Sequence, residues 1–166
     1  MIYRIPAEDD PLMQGDILDD CPILEWAATP APALQHSGII LRVRAIVLTQ
    51  ACDLAESRAT SVVVALVHEA GTLVQRGILK AALIRDQVRR HRVYGWYFLP
   101  AGEAMRESIV DLRHLHTVPR NVLERLIAQG QRSIRLTTPY REHLAQHFAT
   151  TYSRIGLPEP YETQAD

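Results

Sequence analysis

The chain has 166 residues, 47% of them hydrophobic and 22% charged, with a formal net charge of −1. That length suits one ordinary domain, able to bury roughly 68–70% of its unfolded surface without covalent staples, and the composition excludes a collagen, a disordered tail and a coiled coil. Near-balanced charge removes bulk electrostatics as a route to DNA or membranes. The longest apolar run, Ser61–Val67, falls far short of the roughly 20 residues of a membrane span, and Met1–Asp10 lacks a basic leader, so a soluble cytoplasmic protein is expected.

Seventeen arginines stand against one lysine, Lys80, which fits the codon bias of a GC-rich bacterium. Residues 1–13 read as an extended acidic arm, and an acidic start facing a basic centre (Arg76 to Arg92) suggests attraction within a monomer or across a dimer, weakened by screening. Gln14–Leu18 reads as a turn entering a short strand and Cys21–Trp26 as a second extended piece. The proline-rich stretch 28–38 reads as a surface loop. Ile39–Gln50 alternates Leu41 and Val43 against Arg42 and Arg44 before turning wholly apolar, as a strand does when its second half enters the core. Thr60–His68 is the strongest buried-strand candidate.

From Thr72 to Arg90 the apolar period lengthens to three and four residues, which predicts one amphipathic helix, with Gly77 counting against it. Val93–Pro100 and Glu107–Leu115 read as a hairpin. Pro119 opens a helix that Gly130 closes, and Gln131–Leu136 gives a last short strand. Thr138 as N-cap, Pro139 at the first helical position and Gly156 beyond the end frame a C-terminal helix with an apolar stripe of Tyr140, Leu144, Phe148, Tyr152 and Ile155. The tail 159–166 is expected to fray. Without repeats or a linker, these pieces make one α+β domain. Five or six short curled strands over 14–130, with a helical insertion at 72–90, then a strand and helix over 131–158, close most economically as a small β-barrel.

Three constellations carry candidate chemistry. Cys52 and Asp53 follow a hydrophobic strand directly, where a turn exposes a nucleophile or ligand; the thiol needs a base such as His68 or His91, and the bland alternative is a small residue beside a turn or cap aspartate. Neither Cys21 nor Cys52 has CxxC or zinc spacing, so both are expected as reduced thiols. His143 and His147, spaced i,i+4, share a helix face, but Leu144 replaces the glutamate of a zincin, and a third ligand would have to come from His114, His116, Asp111 or Glu142. Solvated histidines flanking the stripe are the simpler reading, and neither a metal nor a cofactor is expected. Arg85, Arg89, Arg90 and Arg92 adjoin Tyr94 and Trp96, a pairing of phosphate-holding cations with base-stacking rings that suits single-stranded RNA; its alternative is a solvated helix end beside a core strand. No P-loop, GxGxxG or GxSxG is present.

The order of Gly15-Asp16-Ile17-Leu18, Arg44-Ala-Ile-Val-Leu-Thr49 and Ser108–Arg120 resembles the MazF/PemK-like toxins over residues 14–127. The proline that follows the arginine in that family is missing after Arg44, and the arginine-to-threonine spacing is one residue short. The resemblance implies an SH3-like barrel and metal-independent endoribonuclease activity by transesterification, with Arg44 stabilising phosphorane-like charge and Thr49 positioning or relaying a proton. Two further readings stay open: a non-catalytic protein-binding accessory module of a mobile or defence locus, and a thiol-dependent hydrolase centred on Cys52.

Overall fold

A computed structural model describes residues 1–26, 38–55 and 58–153. Its strands are β1 (Tyr3–Arg4), β2 (Asp16–Trp26), β3 (Gly38–Val47), β4 (Ser61–Glu69), β5 (Trp96–Leu99), β6 (Ser108–Pro119) and β7 (Arg132–Leu136). The helices are α1 (Ala51–Ala55), α2 (Ala70–Gln75), α3 (Ala81–Asp86), α4 (Arg120–Ala128) and α5 (Tyr140–Tyr152), with a short 3-10 turn at Val88–Arg90. All strand pairings are antiparallel, in the order β1-β7-β2-β3-β4-β6-β5.

The expected SH3-like curled barrel is therefore wrong: the seven strands form an open sheet whose edges, β1 and β5, do not pair with one another. The reason lies in the wholly apolar runs. A barrel strand buries alternate residues, whereas here neighbours are buried together, at Ala45–Leu48 and at Val64 and Ala65. Ile46, Leu48, Ala65, Val67, Tyr97 and Val110 face Leu144 of α5, while Ala45, Val47, Val62, Val64 and Val118 face Leu54 of α1 and Leu123 and Leu126 of α4. A strand read as entering a core is thus a strand covered on both faces. Tyr3 still reaches across, its hydroxyl donating to the Pro100 carbonyl at 2.7 Å, a side-chain bond where no backbone ladder exists.

The predicted helix over 72–90 is three short pieces. Gly77 adopts φ +69°, a left-handed conformation that breaks the helical path between α2 and α3, and Ala70, Leu73, Ile84 and Val88 cover Trp96, Phe98 and Ile109. The hairpin of β5 and β6 forms as expected, and α4 ends at Gly130, with φ +74°. The acidic arm does not meet Arg76–Arg92. Arg132 and Arg135 hold it instead: Arg135 pairs with the fully buried Asp16 through two hydrogen bonds, and Arg132 donates to the Asp10 carbonyl at 2.7 Å.

Before α5, Thr138 donates its hydroxyl to Glu142 at 3.1 Å rather than capping a backbone N–H, and Pro139 takes the N-cap position. The buried positions of α5 are Leu144, His147 and Thr151, while Tyr140 and Tyr152 are exposed, so the helix is rotated from the expected stripe. Residues 28–37 of the expected loop, Ile155, Gly156 and the tail lie outside the described residues. Among those described, no helix is long and apolar enough to cross a membrane.

Candidate functional site

The chemistry concentrates on β6, where the regular strand register fails. Ala65 pairs with Leu115 but the next residue, Leu66, pairs with Asp111, so Leu112, Arg113 and His114 are extra residues bulging from the ladder. In a flat strand Asp111 and His114 would point to opposite faces. The bulge folds the chain back on itself, and one carboxylate collects both following side chains. Arg113 donates Nε to Asp111 Oδ1 at 2.9 Å, Nη2 to Oδ2 at 2.8 Å and its backbone N–H to Oδ1 at 3.0 Å, while His114 Nδ1 lies 3.1 Å from Oδ2.

Burial of Asp111 raises its pKa, but the hydrogen bonds from Arg113 and His114 together outweigh it and hold the carboxyl below its ordinary value. Asp111 is 5% exposed and ionised at neutral pH. It orients His114 through Nδ1–H, leaving Nε2 for solvent, since the side chain of His114 is mostly exposed. The Arg113 guanidinium lies 3.8 Å over the Trp96 ring. Gly95, at φ +82°, makes that possible: a Cβ there would stand 2.6 Å from Arg113 Cγ.

Two more imidazoles adjoin this pair. His68 pairs opposite Ile109, and its pKa is pushed down by burial, against the pull of Asp111 and with the repulsion of Arg76, Arg113 and His114. His116 pairs opposite Val64, and burial likewise lowers its pKa, with Glu25 opposing and His114 adding to the shift. Strand alternation puts His116 with Val118 and His68 with Leu66, on the sheet face that carries α4. The arrangement offers a carboxylate-oriented imidazole, a fixed guanidinium and two histidines held neutral at pH 7: groups for moving protons beside a phosphate-sized anion.

The residues singled out from sequence do not assemble into one site. Arg44 pairs with Asp19 at 2.5 Å and lines a cavity of about 590 Å³ with Glu69 and 101–106. Thr49 accepts the backbone N–H of Val63 at 2.8 Å, which ties the chain after β3 to β4. Cys52 is exposed on α1, and its thiol donates weak hydrogen bonds to Gln50 Oε1 at 3.7 Å and Asp53 Oδ1 at 3.9 Å, neither of which is an imidazole base. Cys21 is buried, which pushes its thiol up to about 11.

Arg85 and Arg89 line a different cavity of about 510 Å³, between α2, α3 and Phe98, with Arg85 paired to Asp86. Arg90 and Arg92 are exposed, Tyr94 is half-exposed, and Trp96 is buried under Arg113. His143 and His147 meet a histidine that spacing did not suggest. His91 stands 4.6 Å from His143 and 5.8 Å from His147 between ring centroids, with Tyr97 beneath it at 4.6 Å. Among the described residues, no group of three or more His, Cys, Asp or Glu side chains is arranged to hold a metal ion. No known family model matches the chain, and no curated protein matches it.

Proposed function

We propose that this protein binds single-stranded RNA and cleaves it by metal-independent transesterification at the β6 bulge. The observation that carries the reading is the buried carboxylate of Asp111 holding His114 and Arg113 together on an exposed surface. His114 Nε2 takes the proton of a ribose 2′-hydroxyl as its oxygen bonds to phosphorus. Arg113 neutralises the extra charge on the phosphorane, and the bond to the 5′-oxygen breaks as a solvent water protonates the leaving oxygen, the hydroxide left behind taking back the proton held on His114 Nε2. The products are a 2′,3′-cyclic phosphate and a 5′-hydroxyl. Arg90, Arg92 and Tyr94, exposed just before β5, extend the RNA path.

The test is incubation of purified protein with single-stranded RNA in EDTA. Cyclic phosphate ends are expected in wild type, and a loss of roughly 10²-fold or more in His114→Ala at unchanged melting temperature. Equal cleavage by His114→Ala overturns the assignment. A second reading, the protein-binding accessory module, is favoured by one observation: Leu24, Trp26, Ile39 and Ile40 are more than half exposed at the far end of the β2–β3 hairpin. Capture of a protein partner that Ile40→Asp abolishes, with no RNA cleavage by wild type, selects that reading.

A further inference from the structure

We propose that α5 is a proton-released latch: when His91 and His147, packed with His143 on Tyr97, take up protons in mild acid, Tyr140–Tyr152 leaves the sheet and uncovers the apolar face around Tyr97 and Leu136. The geometry is that of an imidazole cluster gripped between two elements, with His147 buried, His91 half-buried and His143 exposed at the rim. His91 closes the 3-10 turn with φ 55°, an unusual conformation for a side-chain-bearing residue, and this swings its ring onto Tyr97. From the other side α5 lays His143 and His147 against the same ring. His147 is 7% exposed, and both its Nε2 and His91 Nδ1 are buried without a hydrogen-bond partner. Buried polar atoms of that kind destabilise the docked state, and protonation makes the cost much larger.

The groups facing the cluster compensate too little. On α5 they are the imidazoles themselves; on β5 the Tyr97 hydroxyl, 3.1 Å from His143 Nδ1 and pushed up to about 12 by burial, stays neutral. Before β5, Tyr94 stacks on His147 at 6.4 Å, and from β1 Tyr3 is a further neutral phenol near Tyr97. The carbonyls of Trp96 and Val93 favour a charged His147, but burial and His143 outweigh them. Among the described residues no carboxylate acts on His91 or His147. Burial first, then His143 and His147, push His91 down to about 4. Undocked, the ring returns to its ordinary range near 6.5. Between those values the released state binds more protons, so acidification favours release. Among the described residues no strand follows α5, and besides the cluster it is anchored by Leu144, Phe148, the buried Thr151, the Tyr97 hydroxyl on the Tyr140 carbonyl and the Tyr152 hydroxyl on the Leu112 carbonyl.

Backbone amide NMR spectra of the full chain from pH 7.5 to 4.5 test this. The amides of α5 are expected to move to unfolded positions below about pH 6 while those of α4 stay native, with the midpoint lowered by about one pH unit in His91→Gln and in His147→Phe. Loss of α4 and α5 signals together overturns the latch, as does an unchanged midpoint in both variants. So does equimolar Zn²⁺ raising the melting temperature in a His91-dependent way, which makes the cluster a metal site. Should His91→Gln not fold, His147→Phe alone decides, because phenylalanine retains the stack on Tyr94.

Discussion

Two groups of histidines sit on opposite faces of one sheet, and they differ in a single partner. His114 has the ionised Asp111 at 3.1 Å and opens to solvent, whereas His91 and His147 have other imidazoles and phenols for company and no carboxylate. A carboxylate fixes the tautomer and aim of the imidazole beside it; burial beside other imidazoles makes taking up a proton unfavourable. Residue type is identical at the two places, so environment alone separates the two roles proposed for them.

The comparison breaks most decisively if the carboxylate is removed. Asp111→Asn should lower RNA cleavage roughly 10²–10⁴-fold, measured in single-turnover assays, while the α5 transition keeps its pH midpoint. Next in size, Gly95→Ala forces a Cβ into the Arg113 stem from a left-handed backbone; a loss of about 1–3 kcal/mol in urea unfolding is expected, with weaker cleavage. The pH response is smaller but diagnostic. Wild-type stability should fall from pH 7 toward pH 4.5, because His91 and His147 bind fewer protons folded than unfolded, and the slope should flatten in His147→Phe. Iodoacetamide at neutral pH should label Cys52 and leave Cys21 untouched until denaturant is added. The smallest effect belongs to Arg44→Ala, expected to change cleavage less than about twofold, because that guanidinium is engaged with Asp19 and lies away from the bulge. Loss of cleavage there returns the catalytic role to Arg44 and Thr49.

Much of the strand inventory could be read from residue pattern. β4, the β5–β6 hairpin and α4 announce themselves through β-branched runs, turn residues and the closing Gly130. Sheet closure could not be read this way. Apolar residues at successive positions, such as Ala45–Leu48, say that both faces are covered, yet a short run looks the same whether helices or strands provide the cover. The rotation of α5 escaped for a related reason: Tyr140 and Tyr152 are apolar enough to define a stripe, but the sheet receives His147 and Thr151 instead. Asp111 and His114 were hidden more deeply, because their spacing of three places them apart on any regular strand. The three-residue insertion that joins them leaves no glycine or proline within Leu112–His114 as a sign, the relevant Gly95 standing on the partner strand. His91 reaches His143 through tertiary folding alone.

The sheet ends in two stubs, the two-residue β1 and the four-residue β5. A chain that never closes its ladder into a ring would ordinarily invite a stranger to extend it, strand upon strand. Each stub is too brief to be gripped by itself, whereas Leu115–Pro119 of β6 and Cys21–Trp26 of β2, laddered on one side only, are the margins on which a visiting segment would have to build.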